Sequence, residues 1–221
     1  MIRVRNAALV CLCLAILGII AITTACGSGS TQVRLLNAMD GQSSVNMLLD
    51  NTSVASGVTF GAASAYTSTS SGSRSLEVQS TGGSTLLNQS ISLTNGSNNT
   101  VLATDAGVNL LADNKTTPSS GDIQIRVVNA SNALGTADVY VIAPGTDIST
   151  VNPTVTGLTF RSASAYQTVA AGSYEIILTQ SGSKNVIISS NALSFSAGQI
   201  RTVVSLDGNG VFSTAVLSDL N

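Results

Sequence analysis

The chain is 221 residues long, 43% hydrophobic, 9% charged and 4% aromatic, with no Trp and no His. Nine basic against eleven acidic residues and an isoelectric point near 4.8 exclude a basic nucleic-acid binder, and the missing His excludes every His-dependent triad, general base and zinc site. Thirty-three Ser and 24 Thr take the surface role that Lys and Glu fill in domains about a quarter charged, and the apolar fraction is too high for disorder of the highly charged kind.

Residues 1–25 read as a secretory signal peptide, in which Arg3 and Arg5 lead an apolar run from Ala7 to Ile22. Thr23-Thr24-Ala25-Cys26 then resembles a bacterial lipobox, whose cysteine is diacylated and becomes the new N-terminus. Ala25 and Cys26 fit that pattern; Thr23 stands where Leu is usual. An ordinary cleaved signal and an uncleaved anchor are the alternatives, although the apolar run is short for about 30 Å of hydrocarbon. Cys11 and Cys13 fall inside the signal, so Cys26 is the single cysteine of the mature chain and no disulfide framework exists. Lipidation at Cys26, palmitate included, is therefore the one site assignment, and membrane contact runs through its acyl chains.

Residues 26–32 form a lipidated, flexible tether, and the mature net charge is −4. The expected localisation is the cell envelope. Gly27 rather than Asp after the cysteine points to the outer membrane if the host is Gram-negative.

The mature sequence is written twice. Val33-Arg34-Leu35-Leu36-Asn37-Ala38 matches Ile125-Arg126-Val127-Val128-Asn129-Ala130, and Gly57–Tyr66 matches Gly157–Tyr166. Eight extra residues in the second copy fall around Ala143–Asp147, in a turn signal where insertion costs little. Leu110-Leu111-Ala112-Asp113 resembles Val216-Leu217-Ser218-Asp219. A period near 100 is too long for a solenoid. It predicts two tandem globular domains, 33–114 and 122–221, joined by a polar linker over 115–121.

Short strand signals recur within each copy, at Val33–Leu36, Ile125–Val128, Ser75–Gln79 and Tyr174–Thr179. Ile200–Leu206 and Val211–Leu217 flank Asp207-Gly208-Asn209-Gly210, a hairpin turn signal. No sustained 3.6-residue periodicity occurs after the signal. The expected class is all-β, with two tandem immunoglobulin-like β-sandwich domains.

The order Val-Arg-Leu-Leu-Asn-Ala, then a Val-rich strand, then Gly-Val-Thr-Phe…Ser-Ala-Tyr, present in both copies, resembles the bacterial domain of unknown function 4397 family. Members often begin Val-Arg-Val-Val-His-Ala-Ser-Pro; here Asn37 and Asn129 stand where the His is usual. The resemblance implies secreted or lipid-anchored envelope proteins and implies no known activity.

Candidate chemistry is sparse. Glu77 and Glu175 lie in matching strands, one acid per copy rather than the pair a glycosidase needs. Lys115 and Lys184 sit in turn-rich polar stretches that suit no Ser–Lys dyad, and no nucleophile elbow occurs. Asp207 and Asn209 offer oxygens to Ca²⁺, but the hairpin explains them. Neither a metal nor another cofactor is expected. Tyr66 and Tyr166 read as corner tyrosines bonding backbone through their hydroxyls, with ligand stacking as the other reading. The expected function is a non-catalytic envelope lipoprotein with a structural, adhesive or assembly role; the alternative is a binding module for an envelope polysaccharide or protein.

Overall fold

The computed structural model describes residues 30–220; the expected signal peptide and Cys26 lie outside them. The first sandwich contains β1 (Thr31–Ala38), β2 (Ser44–Leu49), β3 (Thr52–Thr59), β4 (Thr67–Thr69), β5 (Gly72–Ser80), β6 (Thr85–Leu93), β7 (Asn98–Thr104) and β8 (Gly107–Asp113). One sheet has the order β4-β1-β7-β8 and the other β3-β2-β5-β6. Thr31 and Gln32, expected in the tether, are instead the first residues of β1, because each pairs with both β4 and β7 or their flanks.

The second sandwich repeats this plan. Its strands are β9 (Asp122–Asn129), β10 (Ala137–Ile142), β11 (Val155–Leu158), β12 (Ser162–Ala163), β13 (Gln167–Ala170), β14 (Gly172–Gln180), β15 (Val186–Ser189), β16 (Leu193–Phe195), β17 (Ile200–Gly208) and β18 (Val211–Leu220). β12 and β13 both pair with β9 in a sheet continued by β17 and β18, while β11-β10-β14-β15 forms the second sheet and β16 adds to β14. Apart from one 3-10 turn, the described residues form strands and their connections, two immunoglobulin-like sandwiches in tandem.

Alternation explains the two internal cores. Val33, Leu35, Met47, Leu76 and Val101 fill the first, and Ile123, Ile125, Val139, Ile176 and Val203 fill the second. The intervening positions of β1 and β9 are buried too. Leu36, Ala38, Leu102 and Leu111 meet Val128, Ala130, Val204, Leu206 and Leu217 in a third core between the sandwiches. β1, β7, β9 and β17 are thus covered on both faces, which is why their burial runs on through consecutive residues such as Leu35-Leu36, Val101-Leu102, Val127-Val128 and Val203-Val204. The two domains form one four-layer stack of sheets rather than units separated by the linker.

Strand direction orders the ends. β1 and β7 are parallel, as are β9 and β17. Arg34, early in β1, meets the end of β18, whereas Asp40, just past β1, accepts from Asn209 N at the β17–β18 turn. The start of β1, the linker and the end of β18 therefore share one end of the stack. At the other end Asn209 (φ 52°) and Gly210 (φ 75°) make the left-handed turn that a two-residue hairpin requires.

The largest departure between the copies joins the second and third strands. Asp50 and Asn51, both with positive φ, turn β2 directly into β3. In the second copy residues 143–154 intervene and carry a 3-10 turn, Ile148–Thr150, capped by the Asp147 carboxylate on Ser149 N. Ile148 and Val151 pack on Tyr140 and Ile177, roofing the outer face of the second sandwich.

Candidate functional site

The charged groups of the repeat motif converge between the sandwiches. Arg34 and Arg126 sit at matched positions on the strand faces that also carry the apolar third core. Each crosses to the other domain: Arg34 pairs with Asp219 and Arg126 with Asp113, and all four side chains are at most 3% exposed. Each guanidinium also donates through Nε to a threonine of its own domain, Thr100 or Thr202, at 2.8 Å. The remaining donors reach the backbone carbonyls of Ser218 and Ala112.

The tyrosines complete this arrangement. Tyr66 donates to Asp113 and Tyr166 to Asp219, each at 2.7 Å, and each ring lies under the arginine of its own domain, 4.6 and 4.8 Å from the guanidinium carbon. Each hydroxyl thus donates to a buried carboxylate rather than to a backbone carbonyl, and the Tyr166 oxygen also accepts from Asn114 N at 3.3 Å. Burial first, then the adjoining carboxylates, hold both phenols above their ordinary range; the nearby guanidinium opposes this. Burial pulls the Arg126 guanidinium down, but Asp113, Tyr166 and Asp219 together hold it above its usual value.

The other repeated polar residues are also consumed structurally. Asn37 donates to the carbonyls of Gln42 and Val58, and its Oδ1 accepts from Met39 N. Asn129 does the same with Gly135, Leu158 and Ser131. Both are fully buried and fasten the loop that follows the first strand. Ser64 and Ser164 accept from Leu35 N and Val127 N.

The single acids and lysines remain apart. Glu77 accepts from Thr85 and Gln79, and Glu175 from Ser189 and Gly145 N. Asp207 caps Asn132 N and Ala133 N. Lys115 donates to the Gly96 carbonyl and Lys184 to those of Ile148 and Val151. Among the described residues, no group of three or more His, Cys, Asp or Glu side chains is placed to hold a metal ion. None of their helices is long and apolar enough to cross a membrane.

One recess differs between the copies. It lies on the outer face of the second sandwich, between the 143–154 connection and the β14–β15 turn, and is lined by Asp138, Tyr140, Asn152, Pro153, Ser183 and Lys184. Asp138 is almost fully buried. Burial pulls its carboxyl up, but Gly182 N, Gly157 N and the Ser181 hydroxyl outweigh this and hold it below the usual range. Lys184 Nζ lies 4.8 Å from the Tyr140 ring centroid.

The reciprocal Arg–Asp pairs were within reach of sequence reasoning. An arginine inside each apolar first strand and an aspartate ending each last strand were both visible as repeat matches. What was missing is that each arginine answers the aspartate of the other copy.

The C-terminal domain of AlgF from P. aeruginosa aligns at 9% identity and TM-score 0.31, covering 46% of this chain and 99% of that one. A family CBM26 module from Eubacterium rectale Amy13K, solved in complex with maltoheptaose, aligns at 11% identity and TM-score 0.28, over 84% of this chain and 95% of that one. A family 41 carbohydrate-binding module from streptococcal virulence factors aligns at 15% identity and TM-score 0.27, over 84% and 98%. None of the curated proteins matches the chain in sequence. The family comparison is decisive: residues 31–140, the whole first sandwich and the opening strands of the second, match the family described as Domain of unknown function (DUF4397), and the chain belongs to that family.

Proposed function

We propose that the protein is a non-catalytic cell-envelope lipoprotein, acylated at Cys26, whose two sandwiches act as one rigid structural or adhesive module. The observation that carries the rigid module is the reciprocal burial of Arg34 with Asp219 and Arg126 with Asp113. Separating an ion pair buried this completely is costly, because until water reaches them each charge is desolvated and without its partner. The tether leaves from the end of the stack where β1 begins. An anchor there directs the Asp40–Asn209 end away from the membrane.

The test is metabolic labelling with palmitate. Label enters the wild-type chain and is absent from a Cys26→Ala variant, which also leaves the membrane fraction. Unlabelled wild-type protein, or equal label in both, rejects the anchor. The alternative role, binding of an envelope polysaccharide or protein, draws support from the recess on the second sandwich.

A further inference from the structure

We infer that this recess is a binding site for a neutral sugar ring. The inference goes beyond the rigid-module reading and does not depend on the anchor. The recess exists because residues 143–154 fold over the outer face of β10 and β14; in the first sandwich the two-residue Asp50–Asn51 turn leaves nothing to wall it. Leu48 stands in the place of Tyr140 there, and the matching Ser80–Thr85 turn carries no cation. The site belongs to the second domain alone.

Its chemistry selects the ligand class. The cavity measures about 280 Å³, just under the roughly 300–1,000 Å³ of ordinary small-molecule sites. One carboxylate, Asp138, and one ammonium, Lys184, face it, so the walls carry no net charge and favour neither an anion nor a cation. Hydrogen-bonding capacity nevertheless remains. Lys184 spends two of its three donors on the Ile148 and Val151 carbonyls. The Asn152 amide and the Tyr140 hydroxyl have no protein partner among the described residues, although Tyr140 is only 1% exposed.

A polyhydroxylated, uncharged ligand supplies donors and acceptors at close spacing and matches this mixed wall. Asp138 and the Gly182–Ser183 turn lie toward the end of the stack opposite the start of β1, so an anchored chain presents the recess outward.

The test is saturation-transfer NMR on the intact protein with glucose, galactose, mannose, N-acetylglucosamine, maltose and cellobiose. At least one sugar is expected to bind saturably, with a Kd of order 0.1–10 mM. Tyr140→Phe and Asn152→Ala each weaken binding about fivefold or more, with unchanged melting curves, while Asn46→Ala at the matching place in the first sandwich has no effect. No saturation transfer from any of these sugars overturns the site. Binding that survives both variants places it elsewhere and overturns it equally. Preferential binding of acetate or ammonium over every sugar overturns the neutral class.

Discussion

Arg34 and Asp219, 185 positions apart, form a buried ion pair that joins the first strand of one sandwich to the last strand of the other. Arg126 and Asp113 repeat the contact in the opposite sense, giving the interface an internal two-fold character. Removing Arg34 leaves Asp219 buried with only the Tyr166 and Thr202 hydroxyls and the Arg126 guanidinium 3.9 Å away. Arg34→Met should cost about 3–5 kcal/mol, read as a lowered midpoint in urea unfolding. Adding Asp219→Asn removes the orphaned charge and should recover part of the loss, with a coupling of order 1 kcal/mol or more. The wild type should unfold in one transition. Two separate transitions would show that the sandwiches are not coupled.

Alkaline pH probes the same network. The Tyr66 and Tyr166 phenols are raised above their ordinary value of 10, so the folded state holds these protons more tightly than the unfolded chain does. Their contribution is complete below pH 10 and is lost as pH rises beyond it. Two of the four tyrosines should therefore ionise only together with loss of β structure. Tyrosinate absorbance followed beside circular dichroism checks this, and independent ionisation of all four would refute it.

Acid pH probes the recess. Asp138 is held below 3.8 by its N–H and hydroxyl donors in spite of burial. Its contribution is present above the ordinary carboxylate range and is lost as pH falls through the lowered folded-state value. Asp138→Asn turns an amide donor toward Gly182 N or Gly157 N and should cost about 1–3 kcal/mol at neutral pH. The gap to wild type, measured as Tm against pH, should narrow only in strong acid.

Gly208 tests the docking of the long hairpin. A Cβ there would lie 2.7 Å from the Phe60 ring of the first sandwich. Gly208→Ala should destabilise by about 1–3 kcal/mol through overpacking, and pairing it with Phe60→Leu should restore most of that loss in thermal melts.

The sequence by itself determined the class and the duplication. Repeated apolar runs, turn residues and the Asp207–Gly210 signal are local, and local chemistry decides strands and hairpins. The same runs held the clue to the third core: Leu36 and Val128 share strands with the inward-facing Leu35 and Val127, and strict alternation would have exposed them. The polar linker at 115–121 obscured this, since composition says where a chain can bend and not which faces meet afterwards. Asn37, Asn129, Tyr66 and Tyr166 were likewise recognisable as special without their partners. Only the tertiary structure decided that each arginine crosses to the other domain and that residues 143–154 roof Tyr140, because both depend on contacts between segments far apart in the chain, where burial rather than local preference determines which charge can exist and which hydroxyl is left to find a partner.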